Sequence, residues 1–317
     1  MEDNMNNFTS MMTFLLLGFS DIRELQIIHF SVLLALYLMA VIGNFLIIVA
    51  IIIDYHLHIP MYFFLLNLAM IDLGFISVMV PKSMAVSLMD DRSISYSGCA
   101  AQVFFCFFFG SSDLITLTIM AHDRHIAICN PLEYERIMHK EACYKMVAAG
   151  WIFSLFYATS HTGATFANTF CSNSINQFFC EAPHLLKLSC SDLYLAEVWL
   201  LALSCGAVLG CLLFIFMTYL KIFATVLRMP SVHGQRKALS TCIPHLTVAS
   251  VYLLAALFAY VKPPRGVSST LDVVCALIYS IIPPTLNPLI YSMRNGEIKA
   301  ALWKLFKLVF SSKNIVF

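Results

Sequence analysis

Long apolar stretches follow one another along most of this 317-residue chain, with short polar segments between them. Seven stretches are long enough to cross a bilayer as helices, which takes about 20 residues each. They lie at residues 27–53, 61–86, 100–128, 143–164, 196–227, 238–261 and 271–293. The pattern predicts an all-α membrane protein whose seven-transmembrane helix bundle occupies residues 27–293. Because seven is odd, the two termini are predicted on opposite sides of the membrane.

The segments outside this bundle differ from it in character. Residues 1–26 form a predicted N-terminal tail, in which no basic residue precedes a short apolar patch, so a cleaved signal peptide is not expected. Residues 294–317 carry apolar side chains at helical spacing, interrupted by Lys299, Lys304 and Lys307. This spacing predicts a short amphipathic C-terminal helix that lies on membrane lipid, followed by a cytoplasmic tail.

The composition supports the assignment to a membrane. Sixty per cent of the residues are hydrophobic and 12% are charged, whereas soluble domains average about 25% charged residues. The mean hydropathy is +0.82. The formal net charge is only +1 and the basic residues form no continuous stripe, so a nucleic-acid partner is not expected.

The distribution of basic residues predicts the orientation of the bundle. Of the 19 lysines and arginines, 13 fall on one side of the predicted membrane and six on the side of the N-terminus. Basic residues concentrate on the cytoplasmic side, so we expect an extracellular N-terminus and a multi-pass protein of the plasma membrane. The triplet Asn7-Phe8-Thr9 then lies on the side where glycosylation takes place, which predicts a glycan on Asn7.

Four of the eleven cysteines fall on the side predicted to be oxidising. Cys99 opens the third apolar stretch, and Cys171, Cys180 and Cys190 lie in the long loop at residues 165–195. Four cysteines allow three pairings, and spacing alone leaves the choice between them open. The other cysteines lie in apolar stretches or near the opposite face, where we interpret them as small core residues.

The third apolar stretch has different chemistry at its two ends. Residues 103–109 include five phenylalanines and one cysteine, and such aromatic and polarizable side chains suit a pocket for an apolar small molecule. Asp123 and Arg124 stand at the other end, where water or a partner protein must offset the cost of their desolvation. A ligand-binding end and a partner-binding end on one helix indicate a signal receptor.

Motifs of enzyme chemistry are missing from the sequence. It contains no nucleophile elbow, phosphate loop or metalloprotease motif, and the ten histidines and eleven cysteines show no zinc-binding spacing. His161, His184 and His245 stand apart from one another and are interpreted as structural residues with satisfied hydrogen bonds. The chain is therefore not expected to be an enzyme.

Five fragments together carry a resemblance to a known family. They are Gly43-Asn44; Pro60-Met-Tyr-Phe-Phe-Leu-Leu-Asn-Leu-Ala-Met-Ile-Asp72; Met120-Ala-His-Asp-Arg-His-Ile-Ala-Ile-Cys129; Lys237-Ala-Leu-Ser-Thr-Cys-Ile-Pro-His-Leu246; and Pro284-Thr-Leu-Asn-Pro-Leu-Ile-Tyr-Ser-Met-Arg-Asn295. In this order and spacing the chain closely resembles the olfactory receptors of the rhodopsin-like G-protein-coupled class, over nearly its whole length.

The resemblance implies roles for particular residues. It implies disulfides from Cys99 to Cys180 and from Cys171 to Cys190, and a site for a structural sodium ion at Asp72 and Asp113. The implied ligand-binding residues are Cys106, Phe107, Gly110, Ser111, Ser204, Ala207, Ala256, Tyr260 and Leu277. The implied G-protein switch consists of Asp123, Arg124, Tyr219, Asn287, Pro288 and Tyr291.

Several of these roles have a plainer alternative. The two aspartates are either neutral and hydrogen-bonded or share a cation, and we favour the cation. Arg124 is either a charge that extends from a helix end to water or a switch held by Asp123 at rest, and we favour the switch. Pro288 kinks its helix in any case, and we expect the kink to act as a hinge.

The sequence departs from the family pattern beside the switch. His122 and His125 flank the Asp123-Arg124 pair, at positions where the family usually has tyrosines. These histidines would allow the switch end of the third stretch to titrate near neutral pH. Pro244 stands where serine is commoner, and Leu253 replaces a tyrosine of the sixth stretch.

The function implied is that of an odorant receptor. It would bind small, mostly apolar volatile molecules within the bundle and activate a heterotrimeric G protein of the olfactory stimulatory type, which raises cyclic AMP. One alternative is a rhodopsin-like receptor for a non-odorant ligand outside the olfactory epithelium. A channel or transporter is a weaker alternative, because Asp72, Asp113 and their polar neighbours offer the only polar path.

Overall fold

The structure is a computed structural model that describes residues 13–17, 22–89, 91–175, 177–190, 194–261, 280–291 and 296–312. Helices make up most of these residues. In chain order they are α1 (Arg23–Ile53), α2 (Pro60–Met89), α3 (Tyr96–Cys129), α4 (Tyr134–Ile137), α5 (Lys140–Phe166), α6 (Ala182–Leu186), α7 (Tyr194–Leu227), α8 (Val232–Val261), α9 (the helical residues 280–291) and α10 (Gly296–Ser312). Short 3-10 helices occupy Tyr55–Leu57 and Pro131–Glu133.

The predicted apolar stretches correspond to seven of these helices. The first six are α1, α2, α3, α5, α7 and α8, and α9 holds the described part of the seventh, whose residues 271–279 and 292–293 lie outside the described range. Among the described helices, α1, α2, α3 and Val198–Leu227 of α7 are long and apolar enough to cross a membrane. Helices α5 and α8 have 27 and 30 residues, which is sufficient length, but their composition is more polar.

One end of the bundle carries a three-stranded sheet. Its strands are β1 (Thr13–Leu16), β2 (Ser93–Ser95) and β3 (Ser174–Ile175), in the order β2-β1-β3. β1 pairs antiparallel with β2 and parallel with β3. Side chains alternate along β1, so Phe14 and Leu16 are buried beneath the loops. Residues Thr13–Leu16 of the short apolar patch in the N-terminal tail therefore form a strand of this sheet.

Two disulfides lie at the same end. Cys99 at the start of α3 is bonded to Cys180, with 5.4 Å between their Cα atoms, and Cys171 is bonded to Cys190, with 5.8 Å. These are the pairings that the family resemblance implies. We call this end of the bundle the disulfide end and the opposite end, where α3 carries Arg124, the Arg124 end.

Helix α3 is the central element of the bundle. It packs against α2, α5, α7 and α8. Glycine at position 74 allows the close approach of α2, because a Cβ there would overlap with the ring of Phe109 on α3. Gly43 plays the same part between α1 and α9, where a Cβ would lie 2.8 Å from Cβ of Pro288.

A side chain of α1 compensates for the proline in α9. Pro288 has no backbone N–H, so the carbonyl of Pro284, four residues earlier, has no donor within its own helix. The side-chain amide of Asn44, buried on α1, donates to this carbonyl at 2.8 Å and also to the Ala40 carbonyl at 2.9 Å. The hydrogen bond thus joins α1 to α9 at a point where hydrocarbon offers no water.

We predict that Asn44→Ala lowers the free energy of unfolding by about 1–3 kcal/mol, because it leaves the Pro284 carbonyl buried without a donor. Thermal unfolding of the purified protein in detergent measures the change. Asn67→Ala is the matched control, since Asn67 donates to Phe63 of its own helix, where the helical N–H already serves the carbonyl. An equal loss of stability in the two variants would contradict this account.

Candidate functional site

The four predicted ligand-binding residues of α3 have different surroundings. Cys106 is half-buried beside an aromatic cluster, and Gly110 lines a small cavity deeper in the bundle. Phe107 is buried against α5, where its ring stacks on His161 with 4.4 Å between the ring centres. The Ser111 hydroxyl donates to the Phe107 carbonyl of its own helix at 2.7 Å. Cys106 and Gly110 therefore lie toward the bundle interior, while Phe107 contacts a neighbouring helix.

The predicted residues on the other helices are described in part. Ser204 of α7 lies 2.9 Å from Nε2 of His161, and its hydroxyl donates to the Leu200 carbonyl, so the histidine is the donor in this pair. Ala207 is exposed on α7. Ala256 and Tyr260 belong to the helical backbone of α8, with side chains outside the description, and Leu277 lies outside the described residues.

The long loop after α5 enters the bundle beside Cys106. The backbone N–H of Cys180 donates to the Gln102 side chain of α3 at 2.8 Å, and the Ser83 hydroxyl of α2 donates to the Phe178 carbonyl at 3.3 Å. Phe178 and Phe179 are buried in the aromatic cluster that Cys106 also contacts. The loop therefore closes the top of the space between α2 and α3.

The next loop residue, Glu181, is buried at the same place. Its side chain is 8% exposed, and Oε1 has no hydrogen-bond partner among the described residues. Burial raises the pKa of the Glu181 carboxyl to about 8, although Lys187 acts in the opposite sense. Sequence reasoning found no acid among the pocket residues. The disulfide at the preceding position was the signal that could have placed this one inside the bundle.

Two aspartates meet Asn287 in the middle of the bundle. Asp72 of α2 accepts a hydrogen bond from the Asn287 side chain of α9 at 2.8 Å. Asp72 and Asp113 both line the small cavity that Gly110 borders, together with Phe109 and the two prolines at the start of α9. The structure thus brings together two residues that are 41 positions apart in the sequence.

The oxygen atoms around this cavity suit a small cation. Asp113 lines the cavity and Asn287 donates to Asp72, and Oδ1 of Asp113 and Oδ1 of Asn287 are buried without a hydrogen-bond partner among the described residues. Carboxylate and amide oxygens are hard ligands that alkali and alkaline-earth cations prefer. The residues present therefore fit the cation that the resemblance implies.

At the Arg124 end the structure adds a hydrogen bond to the expected pair. The buried Asp123 carboxylate interacts with the charge of Arg124 and also accepts a hydrogen bond from the phenol of Tyr134, at 2.8 Å, which the sequence did not predict. Burial and the neighbouring carboxylate raise the pKa of Tyr134, so the phenol keeps its proton and remains a donor. Tyr134 is the first residue of the short helix α4, and it was not identified from the sequence because only the fold brings it back to α3.

A buried histidine joins three helices beside Arg124. Nε2 of His245 lies 3.0 Å from the Leu117 carbonyl, and Nδ1 lies 2.9 Å from the hydroxyl of Tyr219. A carbonyl only accepts, so Nε2 carries the proton and Nδ1 accepts from Tyr219. These two hydrogen bonds connect α8 to α3 and to α7. His245 and His161 both have hydrogen-bond partners, as predicted for structural histidines.

Arg124 lies among the other switch residues. It is half-buried and close enough to Tyr219, His245 and Tyr291 to interact with each electrostatically. Tyr291 on α9 is buried, and its hydroxyl has no hydrogen-bond partner among the described residues. Asn287 and Pro288 lie one turn away on the same helix. Asn287 donates to Asp72 at the aspartate cavity, and Pro288 packs against Gly43.

The bundle has the fold of rhodopsin. A crystal structure of squid rhodopsin superposes on the chain with a TM-score of 0.70, covering 90% of this chain and 87% of rhodopsin. The sequence identity is 17%, so this likeness concerns the fold alone. The expected all-α bundle is confirmed.

Sequence comparison gives the family. The sequence profile of the family described as "Olfactory receptor" matches residues 33–308. Human olfactory receptor 14C36 is 47% identical over 312 residues, which is 98% of this chain and all of that protein, and human olfactory receptor 14J1 is 49% identical over 302 residues, 95% and 94% of the two. The chain belongs to the olfactory receptor family. It is a G-protein-coupled, odorant-sensing receptor and not an enzyme, as the sequence predicted.

We predict that Tyr219→Phe lowers the free energy of unfolding by about 0.5–1.5 kcal/mol, because Nδ1 of His245 loses its donor. In a His245→Phe background the same substitution is expected to have almost no further effect, since the partner is already gone. Thermal unfolding of the four proteins gives this double-mutant cycle. Additive losses would show that the two side chains do not interact.

Proposed function

We propose that this receptor binds small, mostly apolar volatile molecules between α3 and the neighbouring helices near the disulfide end. Cys106 and Gly110 of α3 carry the proposal, since both face the bundle interior rather than another helix. The side chains around them are mainly aromatic, which favours dispersion contacts with an apolar ligand.

Binding at this site would act on the Arg124 end through α8. The hydrogen bonds of His245 to Leu117 and Tyr219 stabilise the arrangement described here, so a ligand that favours a displaced α8 must break both. Displacement of α8 would open the space around Arg124 to a helix of a heterotrimeric G protein. We propose the stimulatory olfactory type, which raises cyclic AMP, on the basis of the family resemblance.

We further propose that the disulfide end, with the N-terminus, is extracellular and that the receptor lies in the plasma membrane. Two observations support this orientation. Structural disulfides form in oxidising compartments, and both are at this end. The excess of lysine and arginine falls at the opposite end. Asn7, the predicted glycosylation site, would share the extracellular side but lies outside the described residues.

In cells that express this chain with a cyclic-AMP reporter, a panel of volatile compounds is expected to contain at least one agonist. Arg124→Ala should abolish the response without reducing surface expression, because the G protein loses its contact. Arg136→Ala is the matched control, since this arginine lies on the exposed loop after α3, paired with Glu133, and its loss should leave the response unchanged. A normal response of Arg124→Ala would refute the role of Arg124.

We also propose that the cavity between Asp72 and Asp113 holds a structural sodium ion in the resting receptor. The unpaired oxygens of Asp113 and Asn287 support this proposal, because a bound cation would satisfy both. The ion would neutralise part of the buried negative charge and hold α2, α3 and α9 together.

Replacing choline by sodium at constant ionic strength is therefore expected to raise the thermal midpoint of the purified receptor. Once the sodium concentration exceeds the dissociation constant of the site, the midpoint should rise with the logarithm of that concentration. Asp113→Asn should remove this dependence. Asp54→Asn is the control, because that carboxylate pairs with Lys304 at the Arg124 end, 2.8 Å away, and should leave the sodium effect intact. Equal midpoints in the two salts would favour the alternative of neutral, hydrogen-bonded aspartates.

A further inference from the structure

Glu181 has an unusual position for a loop carboxyl. The disulfide to Cys99 and the hydrogen bond to Gln102 fix the preceding residue, Cys180, against α3. Gln102 lies one helical turn before Cys106, and the Glu181 carboxyl is close enough to Cys106 to interact with its thiol electrostatically. Glu181 is therefore held close to Cys106, at the disulfide end of the proposed ligand pocket.

The carboxyl does not cap the short helix that follows it. Glu181 precedes α6, and its backbone carbonyl accepts from His184 and Leu185, whereas Oε1 of the side chain has no partner among the described residues. A buried oxygen without a donor is costly, so its retention at this point needs a reason other than loop stability.

We propose that Glu181 is the polar anchor of the odorant pocket and accepts a hydrogen bond from an O–H or N–H group of the ligand. This inference rests on the proposed binding site. The aromatic residues around Cys106 hold the apolar part of the ligand, and Glu181 holds its polar end. The preferred ligands are volatile alcohols or amines with an apolar body.

Alcohols and amines should depend differently on the charge of the Glu181 carboxyl. An alcohol donates to the carboxyl whether it is neutral or ionised, whereas an ammonium group gains most from the ionised form. Glu181→Gln keeps an acceptor oxygen on a side chain of the same length but removes the charge. This variant should therefore keep its response to an alcohol and lose its response to an amine.

The test compares wild type, Glu181→Gln and Glu181→Leu in the cyclic-AMP assay. The probes are the agonists found in the volatile panel: each alcohol is paired with its methyl ether, and each amine with the methylated analogue in which a methyl group replaces the amino group. For donor agonists, Glu181→Leu is expected to raise the half-maximal concentration about tenfold or more. The methylated analogues should be weaker on wild type and show no further change in Glu181→Leu.

Three results would overturn the proposal. One is a panel whose agonists all lack an O–H or N–H donor. Another is an equal loss of response to an agonist and its methylated analogue, which indicates a structural role. The third is a clear decrease in the thermal midpoint of Glu181→Leu without ligand, which would show that Glu181 stabilises the loop. We expect no decrease, because the substitution removes an unsatisfied polar group. A receptor that responds to no volatile compound would instead contradict the proposed function itself.

Discussion

The hydrogen bonds of one buried imidazole hold the signalling end of this receptor together. His245 of α8 donates to a carbonyl of α3 and accepts from Tyr219 of α7, and its side chain is 1% exposed. In a bilayer the broken bonds have no water to replace them, so the three helices remain together unless other interactions compensate. In this account, an odorant that binds at the disulfide end stabilises the conformation in which α8 has moved away from α3 and α7.

Buried polar groups divide into two kinds in this bundle. Asn44, Tyr134 and His245 have partners on other elements, and each pair positions a helix or loop. One oxygen each of Asp113 and Glu181 has no partner in the described part of the chain; Asp113 lines a small cavity, and Glu181 follows the cysteine that holds the loop against α3. Groups with partners on other elements specify the fold, and two of the unsatisfied ones belong to the sites that we propose for binding.

Much of the fold was predictable because the membrane leaves few options. Apolar stretches of sufficient length are helices in a bilayer, and their number and order gave the bundle. The strand at Thr13–Leu16 was missed because its partners, β2 and β3, come from distant loops. Asp123 and Arg124 were identified, but the contact between Asp123 and Tyr134 depends on how the loop returns to α3, which no local pattern encodes. Glu181 was also missed, although the implied disulfide from Cys99 to Cys180 was a signal that could have placed it inside the bundle.

The central claim is that agonist binding separates α8 from α3 at the Arg124 end. Spin labels introduced as non-natural amino acids at Asn130, just after α3, and His233, in the first turn of α8, occupy exposed positions that report this separation. Pulsed electron–electron double resonance on the purified receptor measures the distance between the two labels with and without a saturating agonist. We expect agonist to lengthen it, and His245→Phe to populate the longer distance without ligand. An unchanged distance distribution in both cases would contradict the account.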